Sequence, residues 1–513
     1  MSASTKTVRQ FIDETGADKL ISDIENKLKL QNKGERPVYS DLMTNDGNVV
    51  YEYVNYVQEG GGVLGIALIG YTYVLEKLGF RFLRLAGTSA GSITTMMLAA
   101  VDKKNYPEED FKLQSEIMLH ELLSYDLWQL VDGHWLAKRL IKIFINYRFG
   151  TRFLKFLVGC SLAFPVLYTL YAILLQHYHP NLELTGLFSA IHKLFSAVAF
   201  LSVIALAIQV CIFLYFRLRF SRAGFGINSG KNFHKWITSI LVKNHIHTLA
   251  DLERTMTSRY GQIRMRPERE SKKIPGDDVS VPYPYLTLVA SDITAQTKVE
   301  FPLMARDYWL NPALINPADF VRASMSIPIF FEPFRVAVPQ EVQNKSRLQQ
   351  MKATLRDKRS DAPKISLFVD GGILSNFPIN VFHNPAVQVA RLPTFGVKLE
   401  DEAHISPGKE QPESQSLFNY LMTVFSTVRF YYDRDFLKRN AVYEQCIGYI
   451  DAAGYNWLNF GMDEKAKKEL FIKGVEAAGK FFLGGKVWVD GKEKEISGFN
   501  WEAFKHDREH MDI

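Results

Sequence analysis

Cysteine is scarce in this chain: its 513 residues hold only Cys160, Cys211 and Cys446. No pair has the spacing of a metal site, and two of the three lie in very apolar runs. A disulfide framework is therefore not expected, and a reducing compartment is favoured. An excess of one charge sign is also missing. A net charge of +6 over this length is mild; it gives no reason to expect nucleic acid as a partner and is compatible with an anionic membrane surface. The N-terminal stretch MSASTKTVRQFIDETGADKL is polar and helical in pattern, so no secretory signal is expected. Internal repeats and long low-complexity stretches are absent. With 47% hydrophobic and 23% charged residues, the composition is that of a globular protein long enough for a large core and more than one domain.

What is present concentrates in residues 51–100. An extended apolar segment (51–58) runs into Gly60-Gly61-Gly62-Val63-Leu64-Gly65, then a helical run (66–78) ended by Gly79. A second apolar segment (82–86) meets Gly87-Thr88-Ser89-Ala90-Gly91, and another helical run begins. The pattern is strand, glycine loop, helix, strand, sharp turn, helix. In a G-x-S-x-G elbow the serine holds a strained backbone between strand and helix, and its hydroxyl is pushed out at the end of the sheet. Gly87 and Gly91, without Cβ, let two backbones pass closely. The adjoining helix N-terminus favours developing negative charge. Ser89 is therefore the candidate nucleophile. The spacing Gly60-x-Gly62-x-x-Gly65 also fits a dinucleotide fingerprint, but that reading wants an acidic residue about twenty positions on. That place holds Leu85-Ala86. A loop of exposed N–H groups beside an elbow serine suits an oxyanion hole better.

A serine nucleophile needs a base. His383 is the histidine near a second strand-end motif, but it lies in a plausible helix start and has no persuasive context. Asp370 has a better one. It ends the short apolar strand 365–369, and Gly371-Gly372 then let the chain turn sharply. Strand ends of an open α/β sheet are where sites form, and a carboxylate shielded from water has its pKa raised toward the working range. Asp292, at another strand end, reads as a turn-stabilising residue.

Two runs, 156–176 and 194–216, carry no charged residue. A helix of roughly 20 residues spans a bilayer core of about 30 Å. Pro165 would kink the first, which membrane helices tolerate. The link 177–193 contains Pro180, Asn181 and Gly186. The pair reads as a transmembrane hairpin, the alternative being a buried helical cap. Lys138, Arg139, Lys142, Arg148, Arg152 and Lys155 precede it and Arg217, Arg219 and Arg222 follow, against Glu183 and Lys193 in the link. This bias puts the flanks, and with them the catalytic region, on the cytoplasmic side.

GGGVLG at residues 60–65, GTSAG at 87–91 and DGG at 370–372 occur in the order and context of the patatin-like phospholipases, and the chain resembles that family. LTLVASDI (286–293), RASMSIP (322–328) and NFPI (376–379) look similar too. The resemblance covers roughly 51–124 and 224–399. It implies an α/β three-layer sandwich with a central, mostly parallel sheet, here interrupted by the helical hairpin. It implies a Ser89–Asp370 dyad, with the oxyanion held by backbone N–H groups of the loop Gly60, Gly61, Gly62 and Gly65, foremost Gly61 and Gly62. Gly87, Gly91, Gly371 and Gly372 shape the elbow and turn. No metal and no cofactor are implied. The substrate would be a membrane phospholipid or another acyl lipid, and the bilayer itself a partner. The rivals are an idle lipid-binding scaffold of the same fold and an esterase of small soluble esters. In one departure, Leu64 stands where the family often has Arg or Lys.

The expected domains are a helical extension (1–45), a first core part (46–125), the insertion with the hairpin (126–223), a second core part (224–400), C-terminal helices and a last strand (401–483), and a polar tail (484–513).

Overall fold

The computed structural model describes residues 7–46, 49–107, 109–133, 148–178, 186–222, 224–259, 263–266, 284–345, 364–387, 390–400, 417–489 and 492–510. Lys138, Arg139 and Lys142 fall outside these, as does Glu183 of the link. The chain forms two compact units, Met1–Val131 with Gly230–Ile513, and Asp132–Ser229. The insertion thus begins and ends about six residues later than its expected 126–223.

In the larger unit α1 (Val8–Thr15) and α2 (Ala17–Gln31) lead into β1 (Leu42–Asp46), β2 (Val49–Gln58), α3 (Gly65–Lys77), β3 (Phe80–Thr88), α4 (Ala90–Ala100) and α5 (Gln114–Ser124). The smaller unit holds α6 (Arg148–Tyr178) and α7 (Gly186–Arg222). The larger resumes with α8 (Lys231–Lys243), α9 (Leu249–Arg259), β4 (Arg264–Met265), β5 (Tyr285–Asp292), β6 (Thr297–Phe301), α10 (Ala318–Ser324), β7 (Phe334–Ala337), α11 (Gln340–Lys345), β8 (Ile365–Asp370) and β9 (Thr394–Glu400). It ends with α12 (Leu417–Arg439), β10 (Ile447–Asp451), α13 (Glu464–Leu483), β11 (Gly484–Val489), β12 (Lys492–Ser497) and α14 (Trp501–Glu509).

β-branched and aromatic residues dominate β2, and every residue from Glu52 to Gln58 is buried, not every second one. Such a strand needs cover on both faces, the condition of an α/β sheet. The sheet runs β10-β9-β2-β3-β5-β8-β7. The pairings from β10 through β5 are parallel. β8 then turns antiparallel to β5, and β7 to β8. β6 and β1 add antiparallel edges to β5 and β2. The expected parallel core is present, and the sheet as a whole is mixed.

α3 packs against α13 at near contact of their backbones. A Cβ on Gly70 would meet the Phe471 carbonyl oxygen at 2.1 Å, and one on Gly474 that of Ala67 at 2.0 Å. Glu76, buried in α3, accepts from the N–H groups of Gln114 and Ser115 at 3.1 and 2.7 Å and so caps α5.

Two stretches differ from expectation. Residues 42–46 form a strand rather than the end of a helical preface. The supposed polar tail is ordered as β11, β12 and α14, and Trp501 is fully buried with its Nε1 donating to Asp41 Oδ1 at 2.8 Å. Asp41, itself inaccessible, also pairs with Arg391 and Lys505. The polar pattern of this tail hides a buried charge network that local periodicity does not reveal.

In the smaller unit α6 and α7 are longer than the expected spans, and residues 186–193 of the link belong to α7. Contacts at Ser161–Gln209, Phe164–Phe195 and Tyr168–His192 define an antiparallel hairpin. The helix continues through Pro165, whose carbonyl accepts from Thr169 Oγ1 at 2.8 Å. Val158–Tyr178 and Ser189–Arg219 are long and apolar enough to cross a membrane and are almost wholly exposed. The two ends of the unit are tied together: Ser229 Oγ donates to Asp132 Oδ2 at 2.7 Å, and the Gly133 N–H to Asn228 Oδ1 at 2.8 Å.

Candidate active site

The elbow forms where β3 ends and α4 begins. Ser89 has φ 53° and ψ −120°, a conformation an L-residue holds only when its surroundings enforce it. The enforcement is steric. A Cβ on Gly87 would meet the Gly91 carbonyl oxygen at 2.3 Å, and one on Gly91 would meet that of Gln58, also at 2.3 Å. The Ser89 N–H donates to Ser324 Oγ at 3.0 Å, and Ser324 Oγ in turn donates to the Val289 carbonyl. The side chain is 4% exposed, and its hydroxyl donates to Met325 Sδ at 3.1 Å.

Asp370 ends β8. β3 and β8 are not neighbours; β5 runs between them. Thr88 lies opposite Val289, and Ala290 opposite Asp370, so serine and aspartate arrive at the same level of the sheet. A Cβ on Gly371 would touch Thr88 Cγ2 at 3.0 Å. The stretch RASMSIP fills the space between. It supplies Ser324 and Met325 to Ser89, and the Ser326 carbonyl accepts from the Asp370 N–H at 2.8 Å. Asp370 is buried. Its Oδ1 accepts from the Gly372 N–H at 2.7 Å, while Oδ2 has no partner. Burial pushes its carboxyl above the usual range, opposed first by the nearby Ser89 hydroxyl, then by the positive charge of Arg429 and the Gly372 N–H. The Ser89 hydroxyl is turned to Met325, and Asp370 stands at the same level of the sheet one strand further on.

The glycine loop follows β2, which pairs with β3 up to Gln58 opposite Gly87. Its four candidate donors differ. The Gly60 N–H donates to the Asn376 carbonyl at 3.0 Å, and the Gly65 N–H to the Gly62 carbonyl. These two are spent inside the protein. The N–H groups of Gly61 and Gly62 have no acceptor among the described residues. Gly62 has φ 56°, and a Cβ there would meet the Trp457 carbonyl oxygen at 2.2 Å. Residues 62–64 form a 3-10 turn, and Leu64 is fully buried, so no side chain from that position reaches solvent.

A buried polar cluster that sequence reading missed holds loop and aspartate together. Asn376 Nδ2 donates to Glu59 Oε1 and to the Gly60 carbonyl, at 3.0 and 3.1 Å. Glu59 Oε2 accepts from the Leu399 N–H at 2.7 Å. Asp433, on α12, accepts from Ser375 Oγ and from the N–H groups of Asn376 and Phe377 at 2.7–2.8 Å. Burial, with help from the nearby Glu59 charge, pushes Asp433 up to about 6 against those hydrogen bonds. Arg429, one turn earlier on α12, donates from Nη2 to Asn376 Oδ1 at 3.0 Å. The NFPI resemblance touched Asn376. Nothing in the aromatic-rich run 417–440 singled out Arg429 or Asp433.

His383 takes no part. Its Nδ1 shares a 3.0 Å hydrogen bond with the Tyr443 hydroxyl, its ring packs edge-on against Phe436, and burial holds its pKa down. Asp292 Oδ1 accepts from the N–H groups of Thr294 and Ala295 at 2.8 and 3.0 Å and closes its turn.

Residues 57–383 match the family model for patatin-like phospholipases. The uncharacterized protein YqhO of Bacillus subtilis is 25% identical over 437 residues, which is 85% of this chain and 99% of that protein. Among solved structures, VipD from Legionella pneumophila aligns over 88% of this chain and 72% of its own at 14% identity, with a TM-score of 0.34, and adds nothing to the assignment. The family match alone spans more than half the chain and takes in the loop, the elbow and the aspartate: this chain belongs to the patatin-like phospholipase family.

Proposed function

We propose that the chain is a membrane-anchored lipid acyl hydrolase that works through Ser89 and Asp370. The observation that carries the reading is the strained, enforced backbone of Ser89 at one level with a buried, under-bonded aspartate and two unclaimed glycine N–H groups. Asp370 takes the proton of the Ser89 hydroxyl as Oγ attacks the ester carbonyl. The N–H groups of Gly61 and Gly62 hold the oxyanion, a contribution of about 3 kcal/mol for a preorganised donor. Collapse breaks the ester bond, and the leaving alcohol receives the proton from Asp370. A water then attacks the acyl-enzyme and gives its proton to Asp370. Release of the fatty acid returns that proton to Ser89.

Because burial raises Asp370, activity falls off on the acid side above the ordinary carboxylate range. α6 and α7 cross the bilayer as a hairpin, with the catalytic unit on the cytoplasmic face. The exposed apolar surface of both helices and the basic residues that flank them support this. Anchorage spares an acyl chain the passage through water, which costs about 0.8 kcal/mol per methylene.

A fluorophosphonate probe tests the chemistry. It labels the wild type and not Ser89→Ala, and Asp370→Asn reduces labelling and hydrolysis by at least about a thousandfold. Equal labelling of wild type and Ser89→Ala returns the chain to the idle-scaffold reading. Comparing short soluble esters with bilayer phospholipid, products identified by mass spectrometry, separates a lipid hydrolase from a small-ester esterase. A reporter fused at Asn181 is accessible only from the non-cytoplasmic side; a cytoplasmic signal removes the hairpin.

A further inference from the structure

Arg429 carries more donors than the described residues use. A guanidinium offers five N–H groups; here one, on Nη2, goes to Asn376 Oδ1, and Nε is buried with no acceptor. Among the described residues it makes no ion pair. Of the neighbouring carboxylates, Asp433 and Glu59 are engaged elsewhere, and Asp370 keeps one oxygen, Oδ2, that accepts no hydrogen bond from the described residues. Both Asp433 oxygens accept from Ser375, Asn376 and Phe377, both Glu59 oxygens from Leu399 and Asn376, and Asp370 Oδ1 accepts from Gly372. Arg429 acts on Asp370 through its charge without pairing with it, so its spare N–H groups stay open to an incoming anion, which offsets the cost of a half-buried cation.

Its position says which anion. A Cβ built on Gly60 would lie 2.6 Å from Asn376 Oδ1 and 2.9 Å from Ser89 Cβ; one on Gly372 would lie 2.5 Å from Asn376 Oδ1 and 2.8 Å from Asp370 Oδ1. The oxygen that receives the Arg429 hydrogen bond therefore faces both members of the dyad across bare glycine Cα atoms. A group held by the spare N–H groups lies beside the scissile ester rather than on it. Leu64 is buried and offers no charge from the loop.

We infer that Arg429 recognises the phosphate of a glycerophospholipid substrate and positions it with its ester at Ser89. This rests on the hydrolase reading above. The planar fork of arginine matches a phosphodiester, and a glycerophospholipid carries that group a few bonds from its ester. A neutral diacylglycerol has nothing to place there.

The test uses the full-length protein in detergent micelles with two chain-matched substrates, short-chain phosphatidylglycerol and diacylglycerol. Arg429→Gln lowers the ratio of kcat/KM for phospholipid over diacylglycerol at least about tenfold, mainly through KM, and Arg429→Lys recovers part of it. An equal loss on both substrates, accompanied by a shift of the acid limb of the pH profile, means that Arg429 acts only through Asp370 and overturns the inference. An unchanged ratio overturns it too. A second arm needs no turnover: calorimetry of a non-hydrolysable diether phosphatidylglycerol binding to Ser89→Ala and to Ser89→Ala with Arg429→Gln. Affinity falls at least about tenfold in the double variant; equal affinities refute the assignment. If the wild type cleaves neither substrate, the hydrolase reading fails, and the binding arm still decides the role of Arg429.

Discussion

α3 and α7 are both apolar on nearly every side, yet they sit in opposite surroundings. Every residue of α3 from Gly65 to Glu76 is buried. Along α7, Phe200, Leu201, Val203 and Ile208 are exposed in succession. A helix without a polar face must be covered all round. For α3 the cover is protein: the sheet, α13 at backbone contact, and the aromatic rings of Phe471 and Phe481 near Tyr73 and Tyr71. For α7 the protein leaves most of the surface bare, and the helix is long and apolar enough to cross a membrane. Composition alone does not separate the two helices. Length does so in part, and the packing glycines do the rest.

The sharpest way to break the contrast is to add volume to each helix. Gly70→Val drives a side chain into the Phe471 carbonyl, so the larger unit loses at least about 3 kcal/mol in urea unfolding. Ala207→Val on the exposed side of α7 leaves the same measurement within about 0.5 kcal/mol. Comparable losses would mean that α7 is packed within protein after all.

Charge gives the next effect. Leu201→Arg puts a guanidinium on the exposed face of α7, at a cost of about 3 kcal/mol for membrane insertion. The protein then shifts toward the carbonate-extractable fraction, while fluorophosphonate labelling of Ser89 persists. Replacing residues 148–222 with a short polar linker is the companion experiment. The ties from Asp132 to Ser229 and from Gly133 to Asn228 hold the two ends of the insertion together. The shortened chain therefore keeps activity on soluble esters and loses at least about tenfold on bilayer lipid. Full activity on bilayers would show that the hairpin plays no part in reaching substrate.

These contrasts also show what a sequence exposes. The elbow, the glycine loop and the strand-end aspartate were legible because backbone conformation imposes residue types at fixed short spacing. Gly87 and Gly91 are there because another backbone occupies the place of their Cβ atoms. The paired helices of the smaller unit were legible because each runs through a long stretch without a charged residue. Within the loop, however, four glycines look alike, and only the hydrogen bonds of Gly60 and Gly65 distinguish them from Gly61 and Gly62. Asn376, Arg429 and Asp433 come from two segments more than fifty positions apart, with nothing local to link them. Trp501 and Asp41, at opposite ends of the chain, were invisible for the same reason. LMTND in β1 lacks the alternation that marks a strand, and its pairing with β2 is what makes it one.

The smallest expected effect concerns the buried acids of the larger unit. Asp433 has its pKa pushed up to about 6, above the value it has in an unfolded chain. The folded state therefore holds its proton over a range in which the unfolded state has lost it. Stability from this group is fully present below about pH 4 and declines as pH rises toward 6. Asp370, raised in the same direction, adds to the slope. Asp433→Asn is nearly isosteric and keeps the geometry workable. The amide oxygen accepts from the N–H groups of Asn376 and Phe377, as Oδ2 does now, and the amide nitrogen donates to Ser375 Oγ. The variant should melt with a flatter pH dependence between 4 and 7 and match or exceed the wild type at pH 7. A slope equal to that of the wild type would mean that Asp433 is ionised throughout, with its three donors outweighing burial.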